Sequence, residues 1–452
     1  MQASVNEREL VLDMLLQITR DGEYSHIVIK NVLDKYQYLD KRERAFITRV
    51  VNGTLERMIE IDYIINQFSK VKVNKMKPVI RTILRSSVYQ MKYMDSVPDS
   101  AICNEAVKLA GKRGFVNLKG FVNGVLRNIG RNLDKISYPD EKDQEVFISI
   151  KYSLPEWMVK QWLKVYDEET VKMIGKAFLE EKPLTVRFDE HKIKKAELIS
   201  ILEKEGVTAG EVPEIPCALY LSGYDHLSVL PSFCEGLYQV QDLSSMQVAL
   251  WSEVKAGDQV LDVCAAPGGK AIHIAELLNG TGHVEARDLT EYKVALIRDN
   301  IERSGLTNIN AVCQDAAIYD PHKKETADIV IADLPCSGLG VLGKKPDLKY
   351  RVQPEDLEEL ADLQRKILTC AQAIVKEGGT LLYSTCTVNR KENSENAAWF
   401  LEQFPFEAVS LDELLPDELK SGETAKGQLI PGVHKTDGFF LAKFRKTEEG
   451  RA

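Results

Sequence analysis

Eight cysteines stand at positions 103, 217, 234, 264, 313, 336, 370 and 386, and two of them occupy settings in which a thiol could act as a nucleophile. Cys336 lies in Leu-Pro-Cys and Cys386 in Ser-Thr-Cys-Thr, each just after a run that reads as a buried strand, ADIVIAD at 327–333 and GTLLYST at 379–385. Residues following the strands of an open parallel sheet face the crevice where ligands bind. A thiolate attacks well and can also leave again, so it suits the temporary covalent activation of a poorly reactive carbon. The other cysteines show neither close pairing nor metal-type spacing, which argues against disulfides and against zinc and fits a reducing, cytoplasmic compartment. Cys103, Cys217, Cys234, Cys313 and Cys370 are expected to serve packing alone.

A second constellation is QVLDVCAAPGGKAIHIAELL at 259–278, which reads as a strand, a turn with Pro267, Gly268 and Gly269, and a helix. Such a turn lets a ligand approach the backbone, and the free amides at the helix start favour a carboxylate or similar anion. It is not a phosphate-binding loop of the nucleotide triphosphatases, because Cys264 stands where the first glycine belongs and Lys270 is followed by Ala271. A G-x-G-x-x-G does occur at Gly338, Gly340 and Gly343, but Pro346 follows and no helix opens, so a dinucleotide is not expected there. Asp288 ends the strand HVEAR-Asp, about 20 residues past the glycine turn, where a carboxylate can accept from both hydroxyls of a ribose. It could instead cap the helix that follows. Asp315 and Asp333 end the next two strands, so three acids converge on one crevice.

These residues need a scaffold, and the rhythm of the chain supplies one. From Tyr238 to Lys446 strands (QVLDV, HVEAR, NINAVC, ADIVIAD, GTLLYST) alternate with helical and glycine-rich segments, which predicts a doubly wound, mostly parallel α/β sheet over 236–446. Residues 145–235 mix helix and strand, as in SLPEWMVKQWLKVY and LTVRF, and predict a small α+β module. Residues 1–140 carry helical spacing almost throughout and predict an all-α domain, with a polar linker near Pro139. No apolar run reaches the roughly 20 residues that span a bilayer, and the acidic N-terminal segment does not resemble a secretion signal.

The net charge of −9 hides an asymmetry. Between Lys41 and Arg131 there are 18 Lys or Arg against 7 Asp or Glu, a local +11 that leaves −20 for the rest. A basic helical module on an acidic protein suggests contact with nucleic acid. Arg81 and Arg85, four apart on one expected helix face, are candidates for that contact.

CAAPGGK at 264–270, Asp288, Asp315-Ala316, DLPCSGLG at 333–340 and STCTVNRKENSEN at 384–396 resemble, in order, the motifs of the Sun/NOL family of RNA cytosine-C5 methyltransferases. The resemblance implies a Rossmann-like catalytic domain that binds S-adenosylmethionine. It implies that Cys264, Ala265, Ala266, Pro267, Gly268, Gly269 and Lys270 hold the methionine part, Asp288 the ribose and Asp315 the adenine, with Asp333 between cofactor and base. It further implies that Cys386 attacks carbon 6 of the cytosine and that Cys336 assists release of the product. Charged Glu285 and Arg287 depart from the apolar strand expected beside Asp288.

The N-terminal helices, with FVNGVLRNI at 121–129, resemble the NusB-like domain found ahead of the catalytic domain in bacterial members that act on 16S rRNA. The expected substrate is therefore 16S rRNA, free or early in assembly, with tRNA the alternative; no metal, no membrane and a monomeric state are expected. A non-catalytic antitermination factor would not account for two cysteines among cofactor motifs. A dehydrogenase would lack its fingerprint.

Overall fold

The computed structural model describes residues 6–411 and 426–447; the ends of the expected first domain (residues 1–5) and residues 412–425 of the catalytic domain lie outside the described residues. Two compact units divide the chain, one taking residues up to Glu180 together with Leu342–Arg351, the other Glu181–Val341 and Val352 onward.

The first unit is helical. Helices Glu7–Thr19, Ser25–Lys35, Lys41–Glu56, Met58–Phe68, Pro78–Tyr93, Asp99–Lys112 and Lys119–Gly130 turn their apolar faces to one core containing Leu12, Leu15, Ile47, Val51, Ile61, Ile83, Leu84 and Leu126. The Lys41–Glu56 helix starts at a capping box, in which Asp40 accepts from the Glu43 amide and Glu43 accepts from the Asp40 amide. Its last carbonyls are satisfied from far along the chain: Lys349 Nζ donates to the Glu56 carbonyl at 2.7 Å and the Tyr350 hydroxyl to the Leu55 carbonyl at 2.6 Å. This explains why Leu342–Arg351 belongs to the helical unit although its neighbours in sequence do not. The stretch read as a linker is also anchored. Tyr63 donates to the Ser137 carbonyl at 3.0 Å and Lys92 to the Tyr138 hydroxyl at 2.6 Å. Beyond it, the Ser153 hydroxyl accepts the Ile59 and Glu60 amides at 2.9 and 3.1 Å, so the helices from Gln144 to Ala177 continue this unit past residue 140.

The second unit holds two sheets. Strands β1 (Leu184–Phe188), β2 (Thr208–Glu211), β3 (Ala218–Ser222) and β4 (Tyr238–Val240) form an antiparallel sheet in the order β2-β3-β1-β4, with helix Lys195–Lys204 packed on it. This is the small α+β module.

The larger sheet uses β5 (Gln259–Asp262), β6 (His283–Asp288), β7 (Ile309–Cys313), β8 (Ala327–Asp333), β9 (Val375–Thr385), β10 (Phe406–Ala408), β11 (Lys426–Leu429) and β12 (Phe439–Lys446). Its order is β10-β12-β9-β8-β5-β6-β7, with β11 paired to β12. Strands β5 to β9 are parallel, whereas β12 runs antiparallel to β9. The chain order reverses between β5 and β8, and at such a switch point the carboxyl ends of the strands open into a crevice. Two apolar layers cover the sheet. One contains Ile272, Ile274 and Ile297, the other Ile367, Leu368 and Phe400.

Glu285 and Arg287 fit this sheet after all. Successive strand residues alternate faces, and these two share one face, where Arg287 Nε donates to Glu285 at 2.6 Å and Nη2 to Asp320 at 3.0 Å. Lys323 completes the network by donating to Glu285 at 2.6 Å.

Candidate active site

The carboxyl ends of β5, β6, β8 and β9 surround a cavity of about 260 Å³ whose lining includes Cys264, Ala266, Asp288, Asp315, Asp333, Cys336 and Cys386. These are seven of the residues singled out from the sequence. Ala265, Pro267, Gly268, Gly269 and Lys270 do not line it; they build the turn and helix start behind it. Gly268 takes φ +106°, a left-handed conformation that side chains disfavour, and it begins the Gly269–Leu277 helix. Four linings lie outside the motifs read from the sequence: Leu289, Lys293, Leu363 and Ile367. Leu363 and Ile367 sit four apart on the Asp356–Ala371 helix, so its apolar period was the available signal.

Asp288 is not a helix cap. Thr290 caps the Glu291–Ser304 helix, accepting the Lys293 amide at 3.4 Å. Asp288 instead accepts the Ala266 amide at 3.0 Å and the Leu289 amide at 2.8 Å, and pairs with Lys293 Nζ at 3.1 Å. It thereby fixes the turn of residues 265–269 to the end of β6. Asp315 accepts the Ala317 amide at 2.9 Å, which bends the chain back after β7.

Behind them lies Asp262, fully buried at the end of β5, with one carboxylate oxygen accepting the Cys264 amide at 3.2 Å and the other without a hydrogen bond among the described residues. Burial, then the charge of Asp333, pushes its pKa up to about 8. The carboxyl therefore keeps its proton at neutral pH.

Asp333 is held on both oxygens. Lys270 Nζ pairs with it at 2.7 Å and the Ser384 hydroxyl donates to it at 2.8 Å. The β8–β9 register sets Asp333 opposite Ser384, so this contact is built into the sheet. Burial alone would lower the Lys270 pKa, but Asp333, by charge and hydrogen bond, raises it with help from Asp262. The ammonium also lies 5.5 Å from the centre of the Phe439 ring.

The same register brings the two thiols together. Cys336 follows Asp333 by three residues and Cys386 follows Ser384 by two, and their sulfurs lie 3.0 Å apart. The Cys386 amide donates to Cys336 Sγ at 3.3 Å. Cys336 is pushed well above the ordinary thiol range, first by its hydrogen bond to Cys386, then by burial and by the charges of Cys386 and Glu392. Two such thiols cannot both ionise at this distance. Cys264 is raised as well, chiefly by burial, which suits a residue that serves the turn through its backbone. Among the described residues no group of three or more His, Cys, Asp or Glu is arranged to hold a metal ion. No helix of the described residues is long and apolar enough to cross a membrane.

Comparison with known proteins matches three stretches of the chain, and the middle one crosses the boundary between the two compact units at Glu180. Residues 249–445 match the family described as 16S rRNA methyltransferase RsmB/F, residues 154–226 the ferredoxin-like domain of the RsmF/B-like methyltransferases, and residues 5–131 the NusB family. The chain is 38% identical over 449 residues to the probable ribosomal RNA small subunit methyltransferase B of Bacillus subtilis, covering 97% of this chain and 98% of the relative. It is 32% identical to the Synechocystis protein of the same description, covering 98% and 100%. The crystal structure of PH0851 superposes with a TM-score of 0.82 at 24% identity, covering 99% of this chain and 100% of the other, and so shares the fold. A helical NusB-like domain, a ferredoxin-like module and a Rossmann-like sheet with its crevice thus stand in the order this family has, and the chain belongs to the ribosomal RNA small subunit methyltransferase B family.

Proposed function

We propose that this protein methylates carbon 5 of a cytosine in 16S rRNA, with Cys386 as the covalent nucleophile. The observation that carries the reading is the pair of thiols 3.0 Å apart at the ends of β8 and β9, beside the crevice. Methyl transfer to oxygen or nitrogen needs no covalent thiol. Carbon 5 of a cytosine needs one, because it becomes nucleophilic only after a group adds to carbon 6, and a second thiol beside the first can assist its departure.

The crevice suits S-adenosylmethionine. Asp288 and Asp315 are strand-end acceptors for a ribose and an adenine amine, and Leu289, Ala316, Leu363 and Ile367 give apolar contact to a ring. The turn of residues 264–270, of which Cys264 and Ala266 line the cavity, would hold the methionine part. When bound, this cofactor supplies an electrophilic methyl group. The remaining work falls to the chain. Cys386 as thiolate forms a bond to carbon 6, and the electron pair of the 5,6 double bond moves to carbon 5, which takes the methyl. A base then removes the carbon 5 proton, the double bond re-forms, and Cys386 leaves as thiolate. Cys336, protonated beside it, donates a hydrogen bond to the departing thiolate. Asp333, a carboxylate fixed by Lys270, would accept from ring nitrogen 3 once that nitrogen carries a proton and so stabilise the adduct.

For the RNA, the favoured surface lies on the helical unit. Lys70, Lys72, Lys75 and Lys77 are all exposed on the segment after helix Met58–Phe68, and Arg127 and Arg131 are exposed at the end of helix Lys119–Gly130. Asn128 donates to the Phe68 carbonyl at 3.2 Å, which joins the two segments. No Asp or Glu occurs between Tyr63 and Met94 or between Ala106 and Leu133, which leaves these two segments net basic. Arg85 does not contribute: it makes two hydrogen bonds to Asp62, at 2.7 and 2.6 Å, and stabilises the fold instead.

The test is a denaturing gel of enzyme incubated with 16S rRNA and cofactor. Cys386→Ala should form no RNA adduct and transfer no methyl, while Cys336→Ala should accumulate the adduct. Exchanged outcomes would make Cys336 the nucleophile.

A further inference from the structure

Glu392, in the motif STCTVNRKENSEN and assigned no role of its own by the sequence, is fully buried. A buried carboxylate requires compensation, and no Lys, Arg or His pairs with Glu392 among the described residues' ion pairs; neutral donors surround it instead. One oxygen accepts the Ser337 hydroxyl at 2.5 Å and the Asn389 side-chain amide at 3.0 Å. The other accepts the Ser337 backbone amide at 2.9 Å and the Gln364 side-chain amide at 3.1 Å. Every partner offers a hydrogen, so an acceptor-only carboxylate satisfies them all.

The partners matter because of where they lie. Ser337 directly follows Cys336, and Asn389 lies three residues beyond Cys386. The Ser337 hydroxyl also meets the Thr387 hydroxyl at 2.9 Å, next to Cys386. One side chain therefore grips both thiol loops. Gln364 cannot reverse its amide to suit a different partner, because its nitrogen also donates to the Pro335 carbonyl at 2.8 Å and its oxygen accepts from Asn396 at 2.9 Å.

We propose that Glu392 is a positioning residue that registers the loop of Cys336 against the loop of Cys386 and thereby keeps the two thiols in separate roles. The proposal rests on the two-thiol reading above. Its negative charge adds to the influences that hold Cys336 above the ordinary thiol range. With the loops out of register, the sulfurs would lose their 3.0 Å approach, and the hydrogen that assists departure of Cys386 would no longer be in reach.

Glu392→Gln is nearly isosteric but puts an NH2 where the carboxylate accepted: on one side it meets the Ser337 backbone amide and the Gln364 amide, on the other the Asn389 amide, so in either orientation a clash of donors replaces at least one hydrogen bond. In the full-length enzyme it should lower kcat by about tenfold or more, as loss of proton-transfer geometry does, with KM for cofactor and RNA within about twofold. It should also move the pH profile for iodoacetamide labelling of Cys336, read by peptide mass spectrometry, to lower pH, and should accumulate RNA adduct. A merely structural role would not move that labelling profile. Ser337→Ala, which deletes one hydroxyl, should shift the profile in the same direction by less, and carries the test if the Gln variant does not fold. A folded Glu392→Gln with wild-type kcat and an unmoved Cys336 profile would overturn the proposal. Cys386→Ala assayed alongside separates the failures: if it still methylates, the two-thiol reading falls and takes this inference with it; if it is dead while Glu392→Gln is normal, only the positioning role falls.

Discussion

The amide of Gly340 donates to the carbonyl of Cys386 at 3.0 Å, while the Gly340 carbonyl accepts the Gly438 amide at 2.8 Å. A Cβ on Gly340 would meet the Gly438 oxygen at 2.1 Å and the Cys386 oxygen at 2.8 Å. The second glycine of the G-x-G-x-x-G run therefore serves close backbone approach, not a dinucleotide. Its position against Cys386 is specific enough to test. Gly340→Ala must push the Cys386 loop aside, and a displacement near 1 Å at a reacting group is worth about 10²-fold in rate. We expect methylation to fall by that order while cofactor affinity, measured by calorimetry, stays within about twofold. Full activity in this variant would mean that the loop tolerates the displacement.

Asp288 is predicted to carry cofactor affinity. It already accepts two amides and pairs with Lys293, whose ammonium is half exposed and can swing away to admit a ribose. Asp288→Ala should weaken S-adenosylmethionine binding by about 1.5–3 kcal/mol, the range for hydrogen bonds to a charged group. Because the substitution also frees the Ala266 and Leu289 amides, Lys293→Ala is the informative companion. It removes only the competing cation, and it should bind the cofactor at least as well as the parent. Weaker binding in Lys293→Ala would show that the ammonium, not the carboxylate alone, holds the ligand.

Asp262 gives a pH signature. Its folded pKa of about 8 lies above the ordinary carboxylate value, so the folded state binds a proton that the unfolded state releases. The resulting stabilisation is complete at acid pH and is lost as pH rises through about 8. Asp262→Asn keeps the shape of the neutral acid and cannot titrate. The melting temperature of this variant relative to the parent should therefore increase between pH 6 and pH 9, read by calorimetry. A pH-independent difference would place the Asp262 pKa at an ordinary value.

Much of this site could be read before any coordinates, for a physical reason. Strand ends, glycine turns and cysteines following strands are local patterns, and the crevice collects them wherever the chain reverses its strand order. Residues whose role depends on distant partners could not be read in that way. Glu392 shows no role in the sequence because its four donors come from residues 337, 364 and 389. Arg85 looks like a phosphate contact because Asp62, its partner, lies on another helix. Asp288 could not be told from a helix cap until Thr290 was seen to take that place. The Leu342–Arg351 excursion into the helical unit leaves no local pattern, since its lysine and tyrosine cap carbonyls almost 300 residues earlier.

The basic face of the helical unit sets the last expectation. RNA binding releases about 0.7–0.9 counterions for each phosphate neutralised, so every contact steepens the fall of affinity with salt. Replacing Lys70, Lys75 and Lys77 together by Ala should lower affinity for a 16S rRNA fragment at low salt and flatten the logarithmic salt slope by about 2. Adding Arg127→Ala and Arg131→Ala should flatten it further. Cofactor affinity should not change, because these residues belong to the helical unit and the crevice to the other. Arg85→Ala serves as the contrast: it breaks the ion pair with Asp62 and should lower the melting temperature without altering the slope. Filter binding across a salt series, with thermal melts in parallel, measures all of these. Phosphate contacts carry no sequence information, so the lysine variants should lose affinity equally for the 16S fragment and for an unrelated RNA of equal length. A loss confined to the 16S fragment would show that this face reads shape or bases, and an unchanged slope would return the lysines to the role of solvated surface.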